Sequence, residues 1–334
     1  MRRVASVTTL SSACALAALA TALAVGPTAI AQDAFAVPDW AYPMSPPAAG
    51  PPPLPDDRIP LRIPGSDVAF TRAQVKDLFA APDWHPGTHP PMPEVVARGR
   101  KPSVYACGYC HLPDGTGRPE NAPLAGLPAE YIVAQVAAFR SGERRSQSSG
   151  AYLPAEFMRT AAEQASAADV LEAAEYFSGL RMSRQVRIIE TDHVPVTHVH
   201  NWLFVPTVEG GTEPLGARIV EVPMDPERHE LRDSKSGFIA YVPTGSVARG
   251  ERLAVGGGEG LTLPCAACHG ADLRGVGLVP PIAGRSPTYL LRQLVAFRTG
   301  ARSAEPGLPM QPVVARLGIE DMIDLAAYVA AQEP

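Results

Sequence analysis

The sequence predicts a mainly α-helical protein with two tandem copies of one helical domain. A segment of short β-strands is inserted between the copies, and an extended Pro-rich region precedes them. Three observations predict this organisation: a Cys-x-x-Cys-His motif that occurs twice, helical segments that repeat around both motifs, and Pro-rich or alternating sequence elsewhere. The chain has 334 residues, 46% of them hydrophobic, and is therefore long enough for two modest domains.

Residues 1–31 are predicted to be an export signal. Arg2 and Arg3 precede the apolar run "ACALAALATALAV", and "AIA" supplies small residues for cleavage before Gln32. The alternative is a retained membrane anchor, against which the cleavage site argues. No later segment is apolar enough to span a bilayer, so we expect a periplasmic mature chain without a transmembrane span. The net charge of −5 argues against a nucleic-acid partner.

The cysteines are the most specific feature of the sequence. Beyond the predicted signal there are four, and all lie in "CGYCH" at 107–111 or "CAACH" at 265–269. Two disulfides would not explain the histidine that follows each pair. A zinc site needs four ligands, whereas each motif supplies three and the motifs are 158 residues apart. A thioredoxin-like dithiol would need a βαβ context that is absent from the sequence.

Covalent haem c accounts for every residue of both motifs. The two thiols of a motif form thioethers with the haem, and the histidine becomes the proximal ligand of the iron. The sequence therefore predicts two haem c groups. The attachment residues are Cys107 and Cys110 for haem 1, and Cys265 and Cys268 for haem 2.

An internal repeat supports two domains. At an offset of 158 residues "EYIVAQVAAFRSGERRS" superposes on "TYLLRQLVAFRTGARSA", and each has an apolar stripe at helical spacing, such as Ile132, Val136 and Phe139. Farther on, the offset falls to 152, which indicates six extra residues in the first copy, within "QSSGAYLPAE". There Met158 aligns with Met310. Upstream, "VVARGRK" and "SVARGER" predict a short helix before each motif.

The order of these features resembles class I cytochrome c domains, and two in tandem are similar to the dihaem cytochrome c4 type. The resemblance covers residues 92–181 and 245–334. It implies that His111 and His269 are proximal iron ligands, with Met158 and Met310 as the distal ones. It also implies that Gly99 and Gly250 allow close packing of the first helix of a domain against Tyr176 and Tyr328 of the last. The equivalent positions of the two methionines favour ligation over simple core packing.

Two segments lie outside the resemblance. Residues 32–91 are rich in proline and are expected to be extended, wrapping the surface or acting as a tether. Residues 182–244 alternate in hydrophobicity between Pro and Gly breaks, which predicts short strands that pack between or around the haem domains.

Some histidines and methionines remain outside the motifs. His198 and His200 would share one face of a strand, which is compatible with a metal pair or another distal ligand. Exposed polar side chains are the more common case. Met92 and Met182 are the fallback distal ligands.

Two classes of function follow from the predicted ligands. His/Met ligation closes both faces of the iron and suits transfer of single electrons, so we expect a carrier and not an enzyme. Its partners would be a donor dehydrogenase or cytochrome and a terminal oxidase, with peripheral association with a membrane complex. The alternatives are a haem subunit of a dehydrogenase, or a dihaem enzyme such as a cytochrome c peroxidase or a thiosulfate-oxidising cytochrome, which needs one iron with an open or replaceable position.

Overall fold

The structure, a computed structural model, describes residues 35–45, 58–146 and 152–334. The predicted export signal and the first half of the segment "QSSGAYLPAE" (residues 147–151) lie outside these residues. The described chain is mainly helical with small sheets. Its helices are α1 (Arg72–Val75), α2 (Glu94–Ala97), α3 (Cys107–His111), α4 (Ala129–Ser141), α5 (Leu153–Gln164), α6 (Ala167–Ser178), α7 (Pro226–Glu230), α8 (Ser246–Gly256), α9 (Ala266–His269), α10 (Pro287–Arg298), α11 (Met310–Val314) and α12 (Ile319–Ala331).

The helices of the two sequence repeats follow the same order. In the first repeat (residues 92–181), α2 precedes the Cys-x-x-Cys-His helix α3, and α4, α5 and α6 follow. In the second repeat (residues 245–334), α8, α9, α10, α11 and α12 take the corresponding places. The last helix of the first repeat begins after Ser166, whose Oγ accepts a hydrogen bond from Asp169 N at 3.1 Å and so caps the helix.

Gly250 allows a close approach between α8 and α12. A Cβ atom at this position would lie 2.0 Å from Asp324 O and 2.8 Å from the Tyr328 Cβ. Gly99 serves a different purpose, and the expectation that it packs against Tyr176 is wrong. It follows the end of α2 with a φ of 62°, and a Cβ there would meet Val104 O at 2.1 Å. Gly99 therefore ends its helix in the left-handed conformation that favours glycine.

We predict that Gly250→Ala lowers the free energy of unfolding by about 1–3 kcal/mol or more, because the added methyl group overlaps the backbone of α12. Denaturant unfolding of the haem-loaded chain measures the change. The matched control is Gly256→Ala in the same helix, where a Cβ meets nothing within 4 Å. There we expect a gain of about 0.5–1 kcal/mol. Equal effects of the two substitutions would contradict close packing at Gly250.

The segment between the repeats forms short strands. The strands are β1 (Val186–Glu190), β2 (His193–Pro195), β3 (Thr197–His200), β4 (Leu203–Pro206), β5 (Thr212–Pro214), β6 (Val220–Pro223) and β7 (Phe238–Val242). The middle strand β7 pairs in parallel with β1 and antiparallel with β6, while β2–β5 and β3–β4 are separate antiparallel pairs. Helix α7 lies between β6 and β7 and was not predicted. Buried apolar residues of the three-stranded sheet join the core of the second repeat.

Candidate haem-binding sites

The first Cys-x-x-Cys-His motif opens into a large cavity. Its volume is about 400 Å³, within the range of roughly 300–1,000 Å³ that is common for ligand pockets. Cys107, Cys110 and His111 line this cavity, and so does Met158. The structure therefore brings together the four residues predicted for haem 1. Met158 lies within α5, the helix that precedes the last helix of the first repeat.

The cavity has an apolar part and a polar part. Val136 and Phe139 are half-buried because the predicted apolar stripe of α4 faces the cavity. Elsewhere the lining is polar and includes Arg144, Arg145 and Arg292. Two lining groups, Ser146 Oγ and the Tyr152 hydroxyl, are buried without a hydrogen-bond partner among the described residues. This lining suits an amphipathic ligand with a large apolar body and anionic substituents.

Both motif histidines are held in the same tautomer. His111 Nδ1 lies 2.8 Å from Ala122 O, and His269 Nδ1 lies 2.8 Å from Pro280 O. Each carbonyl is eleven residues beyond its histidine, and a carbonyl only accepts, so Nδ1 carries the proton in both rings. Burial also lowers the pKa of both histidines, which favours neutral imidazole. Each Nε2 therefore keeps a lone pair for a metal ion.

The motif cysteines are thiols in this environment. Burial raises the pKa of Cys107 to about 12 and that of Cys265 to about 11. Neither thiol is positioned as a reactive thiolate, since reactive cysteines have lowered pKa values and electropositive surroundings. The arrangement suits thiols that are consumed once in a permanent attachment.

The second motif lies against the core of the second repeat. Cys265 and Met310 both pack against this core, and His269 is buried. Thr262 Oγ1 donates to Val313 O at 2.7 Å, which anchors α11 beside the segment that leads into Cys265. Met310 is the first residue of α11. The predicted residues of haem 2 thus belong to neighbouring elements, with Cys268 on the surface.

Two arginines join the repeats through a nearly symmetric network. The guanidinium of Arg144 donates to Gln135 Oε1 and Gln293 Oε1, at 2.8 and 2.9 Å. Arg302, its equivalent at an offset of 158, donates to the same two oxygens at 2.8 and 3.2 Å. Each arginine also reaches the tyrosine at the start of the other repeat's long helix, Tyr289 or Tyr131.

Neutral side-chain oxygens are the acceptors of this network among the described residues. Burial lowers the pKa of Arg144, and the neighbouring Arg302 lowers it further. A buried guanidinium without an anion is costly. Because Arg144 lines the first cavity, this network makes the polar end of that cavity attractive to a carboxylate.

The remaining sequence candidates lie elsewhere. His198 and His200 are exposed on one face of β3, as predicted, and His200 Nε2 lies 3.4 Å from a Glu230 carboxylate oxygen. Neither histidine lines the cavity. Met92 and Met182 pack against the core of the first repeat, outside the cavity lining. In the part of the chain that the structure describes, no group of three His, Cys, Asp or Glu side chains is arranged to hold a metal ion.

Sequence reasoning missed the polar groups that tie the inserted segment to the first repeat. His229 Nε2 contacts the buried Arg118 guanidinium, and Arg232 stacks on Tyr109 inside the first motif. These contacts join positions more than 100 residues apart and have no periodic signature.

Several known proteins are similar in sequence to this chain. The family model described as "Cytochrome c" matches residues 248–333. The cytochrome c-554(548) of Halomonas halodenitrificans is 39% identical over 77 residues, which are 23% of this chain and 93% of that protein. The chain belongs to the cytochrome c family. This cytochrome c therefore binds haem covalently and takes part in electron transport.

Two further relatives match this cytochrome c. The "Thiosulfate dehydrogenase electron acceptor" of Thiomonas intermedia is 28% identical over 236 residues, which are 69% of this chain and 80% of that protein. The cytochrome c4 of Azotobacter vinelandii is 32% identical over 84 residues, 23% of this chain and 40% of that protein. The predicted resemblance to cytochrome c4 is confirmed. Within the residues that the structure describes, every helix is too short or too polar to cross a bilayer.

Proposed function

We propose that this chain is a dihaem electron carrier, with one haem c in each sequence repeat and domain boundaries at residues 92–181 and 245–334. The observation that carries the proposal is the matched pair of histidines. His111 and His269 donate through Nδ1 to carbonyls at the same sequence separation, and each leaves Nε2 for an iron. A chain that positions both imidazoles identically is suited to holding two irons in the same way.

The residues around the first cavity fit haem c. Cys107 and Cys110 would attach the haem, and His111 and Met158 would ligate its iron. Arg144, Arg145 and Arg292 would neutralise the haem carboxylates at the polar end of the cavity, beside the unpartnered Ser146 and Tyr152 hydroxyls. In the second repeat Cys265, Cys268, His269 and Met310 would take the equivalent roles. The haem supplies one-electron redox chemistry when it is bound.

The name of one relative indicates which class of enzyme could donate electrons to this carrier. One relative is named as the electron acceptor of thiosulfate dehydrogenase, and the chain spans 80% of it. We therefore propose that a periplasmic dehydrogenase of an inorganic sulfur compound reduces this cytochrome, and that a terminal oxidase or another cytochrome oxidises it. The described residues beyond the four motif cysteines offer no further thiol, so both irons would depend on histidine and methionine.

The carrier and the enzyme are distinguished by turnover. We expect the haem-loaded chain to accept electrons rapidly from a small reductant and to show negligible steady-state turnover with thiosulfate or hydrogen peroxide. Closed His/Met ligation leaves no position on the iron for either substrate. Robust catalysis that is lost on His198→Ala or His200→Ala would show that the chain is a dihaem enzyme and would contradict the carrier function.

The two haems should have different midpoint potentials. The first cavity is lined by several arginines and by Trp202 and Arg232 of the inserted segment, whereas Cys268 of the second motif is exposed. Solvent exposure and neighbouring charge both tune the potential of a haem iron. A spectroelectrochemical titration should therefore resolve two one-electron steps. A single step that fits two identical, independent haems would contradict the difference in surroundings.

A further inference from the structure

The loops that carry the two Cys-x-x-Cys-His motifs occupy equivalent places in the repeats, but their side chains differ in solvent exposure. We call residues 107–121 the first edge and residues 265–279 the second edge; they correspond at the offset of 158. Arg118 and Glu120 on the first edge are only 9% and 8% exposed. Their equivalents on the second edge, Val276 and Leu278, are 61% and 64% exposed. Polar residues are thus buried on one edge while apolar residues face solvent on the other, the reverse of their ordinary preference.

The inserted segment covers the first edge. We call residues 229–233 the cap. The Arg232 guanidinium lies 3.6 Å from the centroid of the Tyr109 ring and donates to Tyr109 O at 2.9 Å. Tyr109 lies between the two cysteines of the first motif, and His229 contacts Arg118 on the same edge. The cap therefore lies directly over the surface beside Cys107 and Cys110.

The N-terminal region holds the cap in place. Trp84 Nε1 donates to Leu231 O at 2.7 Å, and His85 Nε2 lies 2.8 Å from the buried carboxylate of Asp233. The same region adds main-chain hydrogen bonds next to the motif, since Ala106 N donates to Leu78 O at 2.9 Å. These contacts are buried, so the cap is a fixed part of the fold.

The second edge has no such cover among the described residues. Gly275 N donates to His269 O at 2.7 Å, which brings the loop bearing Val276 and Leu278 back to the motif. Leu263, two residues before Cys265, is also 56% exposed. The nearest charges on this loop, Asp272 and Arg274, pair with each other at 4.0 Å. The surface beside the second motif is therefore apolar and locally balanced in charge.

We propose that redox partners dock on the second edge, and that the cap excludes them from the first. This proposal rests on the carrier function proposed above. The partner it fits is a redox protein whose own cofactor edge is surrounded by uncharged, apolar residues. Because Asp272 and Arg274 pair with each other, they offer little attraction to charged residues that surround the cofactor of a partner. One electron passes from the reduced second haem to the oxidised partner, and no bond is made or broken.

The proposal implies that electrons of the first haem leave through the second. A protein surface cannot approach the first edge past Arg232 and Trp84 without displacing the cap. The inserted segment thereby makes the second repeat the site of electron exchange with protein partners, whereas a symmetric pair of domains would offer two equivalent sites.

Substitution on the two surfaces tests the proposal. The reduced, haem-loaded chain is mixed in a stopped-flow instrument with the oxidised cytochrome c-554(548) of Halomonas halodenitrificans as the probe. We expect Leu278→Glu to lower the second-order rate constant at least about tenfold, because the contact must then bury a charge. Val208→Glu, at a 99% exposed site in the inserted segment, should leave the rate unchanged. The wild-type rate should vary little with salt.

Hydroxyl-radical footprinting gives a second readout that does not depend on electron transfer. Val276 and Leu278 should be oxidised in the free chain and protected when the probe is added, while Tyr109 and Trp84 stay protected in both samples. Equal rates for wild type and Leu278→Glu, or new protection on the cap, would contradict docking on the second edge. Neither result would contradict the electron-carrier function. Protection of Leu278 without the probe would show a second copy of this chain as the occupant and would overturn the proposed partner. A haem-loaded wild type that fails to reduce the probe would contradict the carrier function itself.

Discussion

Replacing both Cys265 and Cys268 with Ala is expected to remove one haem from the purified, exported chain. Covalent attachment needs the thiols of the motif, and in the structure Cys265 packs against the core of the second repeat while Cys268 is at the surface. The mass of the intact protein should fall by one haem relative to wild type, beyond the small change from the two sulfurs. Absorbance per chain should fall by half.

The matched variant removes the other haem. Cys107→Ala with Cys110→Ala should lose one haem while keeping that of the second repeat. The loss should also destabilise the first repeat more than a single core substitution does, because the cavity of about 400 Å³ then has no ligand to fill it. An intact mass without any added haem in the wild type would contradict the central assignment of both motifs.

Met310→Ala is expected to open the second haem. Met310 begins α11, which Thr262 anchors beside the segment leading into the second motif. Loss of the thioether should leave an iron that binds carbon monoxide when reduced. The midpoint potential of that haem should also fall, by a sizeable part of the roughly 0.8 V range that axial ligands set.

Two further methionine variants test whether the effect is specific to Met310. Met224→Ala removes a methionine that is 50% exposed and lies in the inserted segment, so it should leave the spectrum and both potentials unchanged. Met158→Ala should open the first haem in the same way as Met310→Ala opens the second. Carbon monoxide binding that is absent in Met310→Ala would assign the distal position to another residue.

Much of the arrangement around the haem sites could be predicted from the sequence because it is local or repeated. The Cys-x-x-Cys-His spacing fixes three groups on one helical turn, and the repeat at an offset of 158 aligns Gln135 with Gln293 without any structure. The carbonyls that accept from His111 and His269 also lie at a fixed separation within each repeat. Such features depend on chain geometry over short distances, which sequence patterns record.

Other features depend on contacts between distant segments. Nothing in the sequence marks Arg232 as the partner of Tyr109, or Trp84 as the anchor of Leu231, because these pairs are 123 and 147 residues apart. Gly99 was misread for a related reason. Both glycines follow the same local pattern, but α2 ends before Gly99, whereas α8 continues through Gly250 to Gly256. The tertiary surroundings decide which of the two uses of glycine applies.

The most direct test of the account is the near-infrared absorption of the oxidised, haem-loaded chain, measured together with its haem content. Methionine bound to ferric haem gives a characteristic band, and its intensity per haem counts the irons that have this ligand. The account predicts two covalent haems per chain and band intensity for two methionine ligands, halved in Met310→Ala and unchanged in Met224→Ala. Two haems with band intensity for one methionine, or for none, would contradict a carrier in which histidine and methionine ligate both irons.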